Sequence, residues 1–167
     1  LKLNENEYKV IGSLPYNISK KIIKKFFDEE NQPKSINVVI QKEVAEDYCA
    51  KPPKAKFLSN YAEIFSSVEF VEVVPKEFFN PEPKVDGAII RFKIKDSRLK
   101  NENQIAKFLK SGFMNPRKKL VNNLSGIYKK EKSELIRLFK KIGVEPNARA
   151  SNLKLKQWKG LYRAIVK

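Results

Sequence analysis

The strongest constraint on the fold is a short stretch in which a strand pattern gives way to a helix pattern. Residues 8–11 form an apolar run typical of a buried strand, which we expect over residues 8–12. Ser19 stands where a helix N-cap is expected. Apolar residues recur there at the spacing of one helical face: Ile18, Ile22, Ile23, Phe26 and Phe27. Residues 13–17 are therefore expected to form a loop at the carboxyl end of a strand, where open α/β sheets place ligands.

The patterns that follow extend this unit into an α/β sheet. The expected elements come in this order: helix 19–30, strand 35–41, helix 42–50, helix 58–65, strand 68–74 and strand 87–94. The last two strands are joined by a proline-bearing loop, residues 75–86. Alternating strands and helices followed by two strands predict the second half of a doubly wound sheet, ending in an antiparallel pair.

From residue 98 the hydrophobic period becomes helical, with apolar stripes on four Lys-rich segments. Ser133 is expected to cap the third helix and Gly143 to end it. The stripes are Ile105, Phe108, Leu109 and Phe113; Leu120, Val121, Leu124 and Ile127; Leu135, Ile136, Leu138, Phe139 and Ile142; and Trp158, Leu161, Tyr162 and Ile165. These stripes predict a small basic helical bundle.

Charge divides the chain at the same place. Residues 1–97 carry 16 Lys and Arg against 15 Asp and Glu, whereas residues 98–167 carry 19 against 4. We therefore predict two domains, residues 1–97 and residues 98–167. So concentrated an excess of positive charge predicts that the second domain binds a polyanion such as nucleic acid. The alternative is a Lys-rich surface that serves only solubility.

Composition argues against several classes of site. The hydrophobic content of 41% suffices for a core, but no run approaches the roughly 18 apolar residues of a membrane helix. The single cysteine, Cys49, cannot form an internal disulfide, and the chain has no histidine. We therefore predict no metal site and a cytoplasmic protein without a membrane partner.

Several short segments resemble one enzyme family. Ser13-Leu14-Pro15-Tyr16 resembles the signature of adenine-amino methyltransferases, and with residues 17–19 it is similar to the rRNA adenine dimethyltransferases. Four further segments match that family in order and spacing: residues 41–46, residues 79–87, residues 117–124 and residues 149–153. The last two resemble the enzymes that act on small-subunit rRNA more than the relatives that act on large-subunit rRNA.

The resemblance implies a Rossmann-like methyltransferase domain followed by an RNA-binding helical domain. It implies S-adenosylmethionine as the cofactor. The expected substrate is small-subunit rRNA within an immature small ribosomal subunit. The expected reaction is methyl transfer, by a monomeric protein, to N6 of two adjacent adenosines near the 3′ end of that RNA.

The resemblance also implies roles for particular residues. The Ser13 side chain and the Pro15 carbonyl would accept hydrogen bonds from the adenine amino group, and Ser13 would also contact the cofactor. Tyr16 and Phe79 would face each other across a flipped-out base. The implied catalytic residues are Ser13, Leu14, Pro15, Tyr16 and Phe79, and the implied RNA-binding residues are Arg117, Lys118, Lys119, Asn122 and Arg149.

The sequence departs from the family pattern in four respects. Ser13 stands where Asn is usual, Pro116 where Arg is usual, and Gly87 where Ser is usual. The family's Gly-rich loop has no counterpart, because the six glycines never form a G-x-G cluster. We therefore expect a chain that lacks the N-terminal cofactor-binding part and cannot catalyse alone.

Plainer interpretations stay open for each segment. Residues 13–16 suit a strand-end turn with an aromatic plug, and residues 41–43 suit a helix start. Residues 79–87 suit a rigid connector, and residues 117–119 suit a solvated face. For the whole chain, one alternative is a non-catalytic nucleic-acid-binding factor on the same fold. Another is an adenine methyltransferase acting on large-subunit rRNA or DNA.

Overall fold

The apolar strands expected at residues 35–41 and 87–94 lie side by side in a four-stranded sheet. The computed structural model describes residues 7–95 and 101–166. β1 runs parallel to β2, while β4 is antiparallel to both β2 and β3, which confirms the predicted antiparallel pair. The strands are β1 (Lys9–Ser13), β2 (Ser35–Gln41), β3 (Ser66–Val74) and β4 (Gly87–Ile94), in the order β1-β2-β4-β3.

The core beside this sheet is centred on Phe92 of β4. Helices α1 (Ser19–Asp28) and α2 (Lys42–Cys49) each contribute one aromatic ring to it, and α3 (Phe57–Phe65) follows them in the chain. Phe27 and Tyr48 meet Phe92 edge to face, with ring centroids 5.5 and 5.1 Å away. All three side chains are buried, and each such pair adds about 0.5–1.5 kcal/mol beyond the area it buries.

The first strand is less buried than predicted. β1 alternates between exposed and half-exposed residues, and Ile11 is 79% accessible. The prediction of a buried strand is therefore wrong for the described residues. The reason is that β1 lies at the edge of the sheet, where it pairs only with β2, and the apolar run alone does not distinguish an edge strand from a central one.

Two predicted helix caps are also wrong, each displaced from the true cap. α1 has Ile18 as its N-cap, and the Ser19 hydroxyl instead donates a hydrogen bond to the Tyr16 carbonyl at 3.2 Å. The helix predicted to begin at Ser133 has Glu131 as its N-cap. Both serines lie inside the first turn, so the pattern located each helix start to within two residues.

The helices predicted after residue 98 are present. They are α4 (Glu102–Gly112), α5 (Leu120–Tyr128), α6 (Lys132–Ile142) and α7 (Leu155–Ile165). Gly143 ends α6 in a left-handed conformation with φ of 71°, as predicted. At their centre Trp158 is fully buried, stacked on Phe113 at 5.6 Å and edge-on to Phe108 at 6.1 Å. Within the described part of the chain, every helix falls short of the length and apolarity needed to cross a membrane.

Contacts divide the chain into a sheet unit, Leu1–Cys49 with Phe65–Arg98, and a helical unit, Ala50–Ile64 with Leu99–Lys167. Residues 50–64 thus group with the helical unit, whereas the predicted division at residue 97 placed them in the first domain. The Ala55 N–H donates to the Ser151 carbonyl at 3.1 Å, a contact that charge and periodicity do not reveal. The sheet unit carries 14 cationic and 14 acidic residues and the helical unit 21 and 5, so the helical unit holds the entire charge excess.

Gly112 provides a test of the packing around Trp158. A Cβ at residue 112 would lie 2.3 Å from Cη2 of the indole ring. Gly112→Ala is therefore expected to lower the free energy of unfolding by about 1–3 kcal/mol, because overpacking displaces a buried ring. The control Gly126→Ala places its Cβ in open space on α5 and should raise that free energy by up to about 1 kcal/mol. Denaturation followed by the fluorescence of Trp158 measures both, and equal effects would contradict the packing.

Candidate functional site

A tight loop links β1 to α1 and carries the predicted catalytic residues Leu14, Pro15 and Tyr16. The prediction that Ser13 also belongs to the loop is wrong, because Ser13 is the last residue of β1 and pairs with Val39. The Leu14 N–H donates a hydrogen bond to the carbonyl of Val39 at 3.0 Å and so joins the loop to β2. At the other end, the Ile18 N–H donates to the Pro15 carbonyl at 3.1 Å. The ring of Pro15 also fixes its φ angle. The loop is therefore held at both ends by regular secondary structure.

The two predicted acceptors both lie at the surface, one at the end of β1 and one in this loop. Ser13 and Pro15 are exposed, and the Ser13 hydroxyl has no hydrogen-bond partner among the described residues. The Pro15 carbonyl already accepts one hydrogen bond from Ile18. Since a carbonyl oxygen has two lone pairs, one acceptor position remains at Pro15. The site can therefore offer an oxygen from each residue to an amino group.

The predicted aromatic pair is brought together over Gly87. The rings of Tyr16 and Phe79 are half-buried and meet edge to face, with centroids 6.2 Å apart and planes at 71°. A Cβ at residue 87 would lie 2.8 Å from Cζ of Phe79, 3.0 Å from the Tyr16 hydroxyl oxygen and 3.2 Å from Cγ1 of Val39. The glycine at this position thus permits a close approach of both rings that any side chain would prevent.

The Tyr16 hydroxyl is buried and makes no hydrogen bond within the described residues. Burial raises the pKa of this phenol, and the negative charge of Asp86 raises it further. Tyr16 therefore stays protonated at neutral pH and offers a neutral ring face. A buried hydroxyl without a partner lowers the free energy of unfolding by about 1–3 kcal/mol. Tyr16 is therefore not the residue that would make the fold most stable at this position.

Asp86 closes the proline loop and was not singled out from the sequence. Its carboxylate accepts a hydrogen bond from the Lys76 N–H at 3.2 Å, and its carbonyl accepts one from the Lys42 N–H at 3.0 Å. The Lys42 ammonium lies 4.0 Å from the same carboxylate. Lys42 and Glu43 do begin a helix, α2, as one interpretation expected, whereas Gln41 is the last residue of β2. Lys42 in addition joins that helix to the base of the proline loop.

Phe78, next to the predicted Phe79, was also missed. Its side chain is 78% accessible, the second most exposed of the large apolar side chains among the described residues. It belongs to a short 3₁₀ turn, Lys76–Phe78, that leads into Phe79. Two adjacent aromatic residues are hard to rank from sequence, because only their backbone geometry decides which ring faces Tyr16.

The predicted RNA-binding residues come together from two distant segments. Arg117, Lys118 and Lys119 are exposed immediately before α5. Asn122 in the first turn of α5 and Arg149 after α6 are exposed as well. The Leu120 N–H donates to the Ala148 carbonyl at 2.8 Å, and the Lys119 ammonium donates to the Asn147 side chain at 2.7 Å. These bonds bring the basic segment next to the residues that precede Arg149. We call residues 117–119 and Arg149 the basic patch.

The turn that carries this patch is held by Asn123, a buried residue that sequence reasoning did not select. Its side-chain amide donates hydrogen bonds to the carbonyls of Gly112 at 2.7 Å and Asn115 at 3.1 Å. Gly112 is the last residue of α4, and Asn115 lies between α4 and the patch. The sequence signal was present, because the helical period turns Asn123 inward beside Leu120 and Leu124, where an amide needs partners.

Comparison with known proteins relates the whole chain to one family. A family model described as ribosomal RNA adenine dimethylase matches residues 2–167. A ribosomal RNA small subunit methyltransferase A of Fusobacterium nucleatum is 37% identical over 88% of this chain and 57% of its own length. The protein of the same name from Nostoc punctiforme is 36% identical over 90% and 55%. This chain thus spans just over half the length of these relatives.

Solved structures confirm the predicted fold. A dimethyladenosine transferase from Plasmodium falciparum superposes with a TM-score of 0.77 at 23% identity, over 98% of this chain and 68% of that one. The 23S rRNA methyltransferase ErmE superposes with a TM-score of 0.73 at 19% identity, over 99% and 68%. The sheet unit therefore belongs to the Rossmann-like methyltransferase fold, as expected from its strand and helix pattern.

The described residues do not by themselves fit the whole of S-adenosylmethionine, the cofactor of such methyltransferases. Ser13 is the one residue that the sequence assigned to it, and it is exposed at the end of β1. Gly12 beside it has open space, since a Cβ there would meet no protein atom within 4 Å. The six glycines form no G-x-G cluster, so the described residues offer no Gly-rich loop for the rest of the cofactor.

A double-mutant cycle of Gly87 and Phe79 tests the crowding at Gly87. Gly87→Ala is expected to lower the free energy of unfolding by about 1–3 kcal/mol, because the new Cβ meets the tip of Phe79. In a Phe79→Leu background that atom is absent, so the cost should fall by at least half. Gly12→Ala is the control, since its Cβ has open space. Urea denaturation followed by circular dichroism measures the cycle, and additive effects of the two substitutions would contradict the contact.

Proposed function

The chain belongs to the ribosomal RNA adenine dimethylase family, and from this membership we propose that the protein methylates adenines of small-subunit rRNA. In detail, it transfers methyl groups from S-adenosylmethionine to N6 of two adjacent adenosines near the RNA's 3′ end. The observation that carries the proposal is the stretch at residues 13–16, whose exposed acceptors lie beside the Tyr16–Phe79 pair. Relatives named small-subunit methyltransferases support the choice of RNA.

The loop acts on the amino group of the base. An adenine amino nitrogen is a poor nucleophile, because its lone pair is delocalised into the ring. In the proposed site, oxygens of Ser13 and Pro15 accept hydrogen bonds from the two N–H groups of this amine. These hydrogen bonds draw the nitrogen toward tetrahedral geometry and stabilise the positive charge that develops on it. Fixed dipoles of this kind are effective because they need no reorganisation during the reaction. No general base is assigned, which suits a chain without histidine.

The aromatic pair positions the base. A purine extruded from its RNA needs a surface on which to stack, and Tyr16 offers a neutral ring face next to the acceptor oxygens. Phe79 meets Tyr16 edge to face at 6.2 Å, whereas a base between two parallel rings requires a separation of about 7 Å, twice a stacking distance of ~3.5 Å. We infer that Phe79 turns aside when the base enters.

The helical unit supplies affinity for the RNA. It carries 21 cationic and 5 acidic residues, and its basic patch stands at the N-terminus of α5, which has no acidic residue in its first turn. Cations at the positive end of a helix dipole are unfavourable unless an anion joins them. Phosphates of the RNA are the anions that this proposal supplies. The immature small subunit as the assembled substrate, a monomeric state and a cytoplasmic location stay predictions.

Tyr16→Ala separates catalysis from binding. In the complete protein it should lower methyl incorporation by about 5- to 150-fold, since stacking on one base contributes about 1–3 kcal/mol. RNA affinity should change by less than about twofold, because the phosphate contacts remain. Tyr16→Phe is the matched control and should retain activity, since the hydroxyl makes no hydrogen bond to the described residues. Tritium incorporation and filter binding give the two readouts, and unchanged methylation in Tyr16→Ala would remove Tyr16 from the site.

Neutralisation of the basic patch tests the RNA-binding role. Arg117→Gln, Lys118→Gln and Lys119→Gln together should make the plot of log affinity against log salt shallower by about two, at roughly 0.7 per phosphate contact. The physical reason is that three fewer counterions are released on binding. Fluorescence anisotropy with an RNA copy of the small-subunit 3′ end measures the slope. A slope equal to that of the wild type would make these residues a solvated face.

A further inference from the structure

A second basic surface lies in the helical unit and contains none of the predicted RNA-binding residues. It is a groove of about 770 Å³ between the end of α6 and one face of α7, with Glu63 of α3 as its one acidic lining residue. Five cationic side chains line it: Lys141, Lys154, Lys156, Lys159 and Arg163. The basic patch shares no residue with this groove, so the two are separate surfaces of the same unit.

Helix geometry explains why the cations gather along one face. Lys156, Gly160 and Arg163 are spaced by four and then three residues, and therefore point in the same direction from α7. Lys156 and Arg163 are seven residues apart, which sets their Cα atoms about 10 Å apart along the helix. Gly160 between them carries no side chain, and Ile142 of α6 lies against this position. The cations of this face therefore lie on both sides of Gly160 along the helix.

The groove is held in shape by packing and by a hydrogen bond. A Cβ at Gly160 would lie 3.0 Å from Cγ2 of Ile142, so α6 and α7 approach closely along the groove. The Gln157 side chain donates to the Gly143 carbonyl at 2.6 Å and accepts from the Lys154 N–H at 2.9 Å. These bonds join the start of α7 to the end of α6. The cations are therefore presented by a fixed scaffold.

The lining of the groove carries five cationic residues against one acidic residue, Glu63. Within the described residues, none of the five cations forms an ion pair, and four of them are exposed. Like charges gathered at one surface repel one another and destabilise the fold slightly, while they attract and steer anionic ligands. A surface that served solubility alone would gain nothing from gathering its cations in one groove.

We propose that this groove is a second RNA-binding surface, which holds the phosphates of another strand of the RNA bound by the basic patch. The inference rests on the proposed function, because an RNA substrate is what supplies a second strand. A groove suits a polymer better than a small anion, since its cations extend along a helix face and do not converge on one point. An acidic protein segment is the other occupant that the charge would permit.

The decisive variant neutralises the α7 face by Lys156→Gln, Lys159→Gln and Arg163→Gln. For this variant the slope of log RNA affinity against log salt should be shallower by about two, and the affinity at low salt should fall at least tenfold. The control is Lys107→Gln, Lys110→Gln and Lys132→Gln, three exposed cations on α4 and α6 outside both surfaces. It removes the same net charge and should leave the slope near that of the wild type. Fluorescence anisotropy with the 3′ RNA fragment measures both, and Trp158 fluorescence confirms folding.

Two further measurements separate the possible outcomes. Lys156→Arg, Lys159→Arg and Arg163→Lys together keep the charge and should keep the slope, even if the neutral variant folds poorly. Combining the groove and patch substitutions should lower the slope by the sum of their separate effects. Equal salt slopes for the groove and control variants would overturn the inference. It would also be overturned if the groove variant kept its affinity for RNA and lost only affinity for an acidic peptide. A wild-type chain that bound the RNA without any salt dependence would instead overturn the proposed function.

Discussion

The candidate site depends on the pairing direction of three strands. β1 and β2 are parallel, so both end at the same edge of the sheet, and β4 is antiparallel to β2, so it begins there. Three segments that lie far apart in the sequence therefore meet at one edge: residues 13–16 at the end of β1, residues 41–43 at the end of β2, and residues 79–87 at the start of β4. The pairing of Gln41 with Gly87 fixes the position of the third segment against the second. Without the reversal at β4, Phe79 would lie at the opposite end of the sheet from Tyr16.

A second constraint is the segregation of charge. The sheet unit is balanced between cations and acids, while the helical unit carries the entire excess. Under the proposed function this segregation separates two tasks, because phosphate contacts supply affinity but no sequence information. The proposed site at the end of β1 would then have only to recognise an adenine amino group, for which it offers two oxygen acceptors and an aromatic face.

Much of this organisation could be predicted from sequence, because it depends on periodicity and on short motifs. Strands and helices fall within about two residues of where the patterns placed them, the loop begins at Leu14 one residue later than predicted, and Gly87 was visible as a departure. Its consequence was not visible, since the close approach of Phe79 and Tyr16 exists only after the strands pair. The edge position of β1 and the attachment of residues 50–64 to the helices likewise depend on tertiary contacts.

The groove on α7 escaped prediction for a related reason. Its cations come from two helices and the turn between them, and no motif marks them. A Lys-rich sequence places cations on many faces, so the informative feature is one concave surface lined by five cations and a single acid, which requires coordinates. Asn123 shows the opposite case, since the helical period already indicates that its side chain points inward from α5. Its hydrogen-bond partners, the carbonyls of Gly112 and Asn115, are visible only in the structure.

The aromatic pair bears on how the proposed reaction would select its substrate. Tyr16 and Phe79 fill the space above Gly87 in contact with each other, so under the proposed function one ring must move before a base can lie between them. Moving the ring and unstacking the base each cost free energy, a few kcal/mol for the base. Binding energy from non-reacting parts of a substrate can offset such costs at a reacting centre, and the proposed phosphate contacts of the helical unit are of that kind. The proposed enzyme would therefore favour bound RNA over free adenosine, because free adenosine brings no phosphate contacts.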